Sequence, residues 1–133
     1  MKKGFTLIEL LVVISIIGIL TTLLVVNFVG ARERARDSQK IRNLNEIKNA
    51  LRIYYNDKQA YPICSGACLN TAEIGGTYIS GISQIGYTYN GTDGNSFILR
   101  VGLESGAGSD DISSQLNCGI GTTVDKVYAV CSN

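Results

Sequence analysis

Residues 4–29 read GFTLIELLVVISIIGILTTLLVVNFV, and one residue in that run is out of character. From Phe5 to Val29 there are twenty-five residues and a single charge, Glu9. A helix of that length reaches about 37 Å, more than the ~30 Å hydrocarbon core of a bilayer. The stretch is long enough to span. A carboxylate at the middle of a membrane helix costs on the order of 3 kcal/mol, and less near an end, so something is expected to meet Glu9. A cleaved secretory signal would have an apolar region of about 7–15 residues ending at a small-residue site. This run is longer, and Val29-Gly30-Ala31 is a poor cleavage signal, so an anchored chain is expected.

The charges flanking the run disagree with the rest of the chain about orientation. Lys2 and Lys3 precede it, whereas Arg32, Arg34, Arg36, Lys40 and Arg42 follow. Counting positive charge puts the C-terminal side in the cytoplasm. All four cysteines, Cys64, Cys68, Cys118 and Cys131, lie in the second half and argue the opposite. An even number in a small, loop-rich region beyond an apolar segment points to disulfides in an oxidising compartment. A zinc site would want two close pairs, and Cys118 and Cys131 are thirteen apart with no histidine anywhere in the chain. Three disulfide pairings are open, of which Cys64–Cys68 with Cys118–Cys131 is the most local.

The 133 residues suffice for one domain with a modest core, and the net charge of +1 supplies no field toward nucleic acid. Absence of histidine removes the usual general base, and no nucleophile–base set stands out, so no enzyme is expected. No cofactor or metal is expected either. Calcium is the one ion to weigh, through Asp93, Asp110, Asp111 and Asp125, but their loop has no EF-hand spacing.

Nothing breaks the helix after the apolar run. Ala31, Ala35, Ser38, Ile41, Leu44, Ile47, Leu51 and Tyr54 recur every three or four residues, with Ala50 and Ile53 widening the stripe. The pattern predicts one continuous helix to about Asn56, ahead of Tyr61-Pro62. Eight of the twelve basic residues fall between Arg32 and Lys58, interspersed with Glu33, Asp37 and Glu46. That mixture reads as a solvated helix face, and the alternation in RERARD permits ion pairs between neighbouring copies.

After Pro62 the texture turns to Gly, Ser, Thr and Asn with short apolar strands. GTYIS and GYTYN precede NSFILRVGLE, where Phe97, Leu99, Val101 and Leu103 alternate with Ile98, Arg100 and Glu104. Asn90-Gly91 and Asp93-Gly94 supply the turn between two strands, and DKVYAVCS is a last strand. ESGAGSDDISSQ reads as a surface loop. Tyr78, Tyr87, Tyr89 and Tyr128 are expected at the core edge with their hydroxyls at the surface. The fold class is therefore α+β: a long N-terminal helix packed on an antiparallel sheet of three or four strands.

The run KKGFTLIELLVVISIIGIL, residues 2–20, resembles the N-terminus of type IV pilins and of the pseudopilins of type II secretion. The likeness continues through NFVGARERARDSQKIRNLNEIKNALRIYYNDKQAYP, residues 27–62, and beyond that holds only in kind. The resemblance implies a leader (1–4), an apolar assembly helix (5–30), its amphipathic continuation (31–61) and a disulfide-stabilised β-rich head (62–133). It implies cleavage between Gly4 and Phe5 by a membrane-embedded prepilin peptidase, and N-methylation of Phe5. The new amine at Phe5 would then meet Glu9 of an adjacent copy and set the axial register; the alternative is that Glu9 snorkels at its own helix end or meets its own amine. Implied partners are other copies of the chain, an inner-membrane platform protein, an assembly ATPase and, before assembly, membrane lipid, with no specific nucleic acid. The precursor would cross the cytoplasmic membrane once and end in an extracellular or periplasmic filament. A type IV pilus subunit is the leading reading, with a secretion pseudopilin, or a minor tip pilin acting in adhesion or DNA uptake, as alternatives. The family commonly has a proline about where Val26 stands, so melting of the helix there would lack its usual cause.

Overall fold

The computed structural model describes residues 4–70, 72–79, 86–106, 108–121 and 123–132, apart from the side chains at 24–27, 70, 72 and 73. The segment 80–85 therefore lies outside the described residues, whereas the backbone at Val26, where the proline is missing, is part of a helix and only its side chain is left undescribed. The chain divides after Glu33 into two units.

The first unit is the opening half of helix α1, which runs Leu7–Lys58. Its apolar residues have nothing folded over them: Leu7 is 81% exposed and Ile14 61%. The hydroxyls of Ser15, Thr21 and Thr22 donate to the carbonyls of Val12, Ile17 and Ile19 at 2.7–2.8 Å. Each polar group is thus satisfied within the helix, which suits an apolar surrounding. Among the described residues no single helix is long and apolar enough to cross a membrane; Leu7–Leu23 and Phe28–Lys58 meet that test only taken together.

The second unit is the head. Leu44, Ile47, Ala50 and Leu51 of α1 are buried, with Ile41, Tyr54 and Tyr55 packed at the edge. The stripe starts later than the sequence predicts. Ala31, Ala35, Ser38 and Ile53 are exposed, and the row that faces inward begins at Asp37. Small residues fit the helical period but bury little area, so they fix no face. The helix ends where Gln59 turns to φ 58°, its N–H donating to the Tyr55 carbonyl at 2.7 Å.

Four strands form one antiparallel sheet in chain order: β1 Cys64–Gly66, β2 Tyr87–Gly91, β3 Ile98–Gly102 and β4 Val127–Cys131. Tyr87, Tyr89, Leu99, Val101 and Val130 turn inward onto Leu44, Ile47 and Leu51. Thr88, Asn90 and Arg100 point the other way and are exposed. This is the period-2 pattern of a sheet with one buried face. Contrary to expectation, Tyr87 and Tyr89 are core rather than edge, and the Tyr89 hydroxyl donates to the Pro62 carbonyl at 2.7 Å. Gly91 is required beside it, since a Cβ there would collide with the Tyr89 hydroxyl and lie 2.6 Å from the Pro62 oxygen.

Two further sequence expectations are corrected. GTYIS is not a strand: a short helix α2, Ala72–Gly75, is followed by a turn through Gly76–Tyr78, and Tyr78 donates to Asp57 at 2.9 Å. ESGAGSDDISSQ is not all loop, because Ser109–Asn117 forms helix α3. Its buried residues are Asp111, Ser114 and Gln115, while Ile112 and Leu116 are exposed. Gln115 explains that inversion. Its side-chain amide donates to the carbonyls of Asp111, Val124 and Val127 and accepts from the Val124 N–H, pinning the segment that leads into β4. Ser114 Oγ accepts the Ala129 N–H, which attaches α3 to β4.

Asp37 clamps α1 to the chain leaving β3. Its carboxylate accepts the N–H groups of Glu104 and Ser105 at 2.7 and 2.8 Å and the Ser105 hydroxyl at 2.6 Å. Burial alone would push this carboxyl up. The Ser105 hydroxyl, the two N–H groups and the Lys40 ammonium overturn that and hold it below the usual carboxylate range. Arg36 and Lys40 pair with Glu104 at 2.6 and 3.2 Å, so part of the RERARD charge pattern is used inside the chain.

Candidate assembly site

The N-terminal segment holds the sequence-predicted processing and assembly residues together. Residues 4–6 are not helical, Phe5 is 77% exposed, and nothing lies within 4 Å of where a Gly4 Cβ would stand. Among the described residues nothing folds over the Gly4–Phe5 peptide bond. The helix begins directly afterwards because Thr6-Leu7-Ile8-Glu9 is a capping box. The Thr6 N–H donates to Glu9 Oε2 at 2.9 Å, the Thr6 hydroxyl donates to the same oxygen at 2.5 Å, and the Glu9 N–H approaches Thr6 Oγ1 at 3.4 Å. Sequence reasoning passed over this role for Thr6, although Thr-x-x-Glu before an apolar run is its signature.

The box meets half of the question that Glu9 raises. Two donors from Thr6 converge on Oε2, and the carboxylate is exposed at the helix end, with no protein donor on Oε1 among the described residues. A fixed carboxylate with one oxygen held and one open is oriented to accept a cation from elsewhere. Leu7, Ile8 and Leu10, all more than half exposed, surround it with apolar surface.

At the other end of the chain the four cysteines form two disulfides, Cys64–Cys68 and Cys118–Cys131. The first staples β1 to the turn after it, and the second ties the end of α3 to β4. The acids considered for calcium are scattered in role. Asp93 accepts the N–H groups of Asn95 and Ser96 and shapes the β2–β3 turn, Asp111 is buried with Oδ2 accepting the Lys126 N–H, and Asp110 and Asp125 are exposed. Among the described residues no group of three or more acidic or sulfur ligands is placed to hold a metal ion.

The geometry thus gives a capped apolar helix left bare at its start and a sheet head closed by two disulfides, and a bare helix of this kind calls for lipid or other protein as cover. Comparison with known proteins bears on which. Residues 1–25 match the prokaryotic N-terminal methylation motif. The chain is 33% identical over 127 residues to the type II secretion system core protein G of Aeromonas hydrophila, covering 83% of this chain and 89% of that protein. It is 41% identical over 61 residues to the core protein G of Escherichia coli, covering 46% of this chain and 42% of that protein. Over 59 residues it is 46% identical to the type IV wide pilus major component PilA4 of Thermus thermophilus, covering 44% of this chain and 45% of that one. No solved structure matches the chain. The chain belongs to the type IV pilin and pseudopilin family.

Proposed function

We propose that this chain is a structural, non-catalytic subunit of a type IV pilus. It is cut between Gly4 and Phe5, N-methylated at Phe5 and polymerised through its apolar helix. The observation that carries this reading is the uncovered helix with its capped acid: apolar side chains exposed from Leu7 to Leu23 and again at Phe28 and Val29, with Glu9 held at the start. At about 25 cal/mol per Å² of apolar area removed from water, burying such helices against one another is the main cohesive force available to a polymer. Cleavage leaves a cationic amine at Phe5. Facing Glu9 of a neighbouring copy in a low dielectric, that amine would select one axial offset over others. The local bonds from Thr6 leave room for the pair. On this reading residues 1–4 are the leader, 5–30 the assembly helix, 31–61 its amphipathic continuation and 62–133 the head. The partners are a prepilin peptidase, a membrane platform protein and an assembly ATPase. The precursor sits in the cytoplasmic membrane and the product outside it.

A second reading, a pseudopilin of a type II secretion system, is favoured by the identity that runs through 89% of the Aeromonas core protein G. Deleting the chain separates the two: loss of surface filaments with secretion intact fits a pilus, and the reverse fits a pseudopilus. The common core of both is tested by the mass of the N-terminal peptide recovered from cells. N-methyl-Phe5 as the first residue is expected; an intact Met1 on assembled protein would overturn the processing step.

A further inference from the structure

The head carries two different corners at opposite ends of its sheet. The register places Tyr87, Val101, Gly102 and Val127 at one end and Cys64, Gly91 and Ile98 at the other. Five-residue strands separate these ends by about 13 Å.

At the first end a trough of about 260 Å³ opens on the sheet face turned away from the core. Thr88 and Arg100 lie on its sheet side and Ile120 and Val124 on its loop side, with Val124 57% exposed. No acid lines it. Among the described residues Arg100 takes no part in the ion pairs, which use Arg36 and Lys40, nor in the side-chain hydrogen bonds. An exposed guanidinium beside two aliphatic side chains fits a ligand with one carboxylate and one branched apolar group.

The second end presents that combination. Ile63 is 70% exposed, and its Cδ1 reaches within 3.8 Å of where a Gly94 Cβ would stand, next to Asp93 in the β2–β3 turn. Asp93 is exposed, and its carboxylate is held in place by the N–H groups of Asn95 and Ser96 on Oδ1. Among the described residues Oδ2 takes only the Ser96 hydroxyl, at 3.3 Å and shared with Oδ1 at 3.1 Å, and keeps capacity for a cation.

We propose that the Ile63–Asp93 corner of one copy docks in the Arg100 trough of the next copy, Asp93 pairing with Arg100 while Ile63 packs against Ile120 and Val124. The proposal rests on the filament reading above. Because the two surfaces differ and sit at opposite ends, the contact is head-to-tail and propagates, as a filament needs. Each contact is far smaller than the ~1,200 Å² of a stable interface, so it acts beside the helix packing and gives the heads no association of their own.

The test uses full-length chains in cells that assemble them. Ile63→Cys together with Val124→Cys is expected to give a ladder of disulfide-linked multimers from sheared filaments, which neither single variant gives. Arg100→Asp is expected to lower filament yield roughly tenfold, and Asp93→Asn, which keeps the turn's acceptor, to lower it in the same direction. Filaments at wild-type yield from Arg100→Asp, or normal filaments of the double-cysteine variant without a ladder, would overturn the docking and leave the filament reading standing. Failure of wild-type chains to form filaments at all would overturn both.

Discussion

The two halves of helix α1 have the same backbone and opposite fates. Before Glu33 its described apolar side chains, Leu7 to Leu23 with Phe28 and Val29, are bare, whereas from Leu44 to Leu51 the inward-facing ones are buried under the sheet. The head is a finished object, closed by a core, two disulfides and the Asp37 clamp. The first half is a finished helix with an unfinished surface. The hydroxyls of Ser15, Thr21 and Thr22 bond within the helix, so apart from a cation for Glu9 what it lacks is apolar cover, which lipid or other copies can supply. Stability and assembly should therefore be separable by mutation.

The largest separation is expected from Glu9→Ala mixed with wild-type chains. Incorporation into filaments should fall at least about tenfold, since the cation it meets would be left unpaired in an apolar setting. The thermal midpoint of the head, followed by near-ultraviolet circular dichroism in detergent, should not move. Normal incorporation would remove the register role of Glu9. Next in size is the opposite case, Asp37→Ala, which orphans the N–H groups of Glu104 and Ser105. Urea unfolding should show the head weakened by about 3 kcal/mol, with leader cleavage unchanged.

Among the disulfides, replacing Cys118 and Cys131 by serine should cost about 3 kcal/mol, and replacing Cys64 and Cys68 about 2. The order follows from their separations of 13 and 4 residues. An inverted order would show that the strapped ends of α3 and β4 are held by Gln115 and Ser114 without help. The smallest effect is in pH. Asp37 titrates below its ordinary value when folded, so its contribution is complete above the unfolded value near 3.9 and is lost as pH falls through the folded one. An Asp37→Asn head should lack that part of the acid-side slope.

The same contrast explains which parts of the sequence could be read. Alternation in β2 and β3 is set by side chains that either reach the core or do not, so Tyr89, Leu99 and Val101 announce their face. Helix α3 reverses the rule: its inward side is Asp111, Ser114 and Gln115, each held by hydrogen bonds to distant backbone, and no polarity pattern could reveal those partners. Asp37 was hidden for the same reason, being an acid in a basic run whose donors lie 67 and 68 residues further on. At the candidate site the Thr6 cap on Glu9 was legible from Thr-x-x-Glu ahead of an apolar run, because both partners lie within one helical turn. The docking corners were not legible, because Ile63, Asp93 and Arg100 become neighbours or opposites only through strand register.

The account depends on bare helices finding cover in one another while an acid and a fresh amine fix their offset. A filament density map that resolves residues 5–29 tests it most directly. Helices packed side by side, with Glu9 Oε1 within hydrogen-bond reach of the Phe5 amine of another copy, is the expected result. A map in which Glu9 meets only its own Thr6 and the run from Leu7 to Val29 touches no other copy would contradict it.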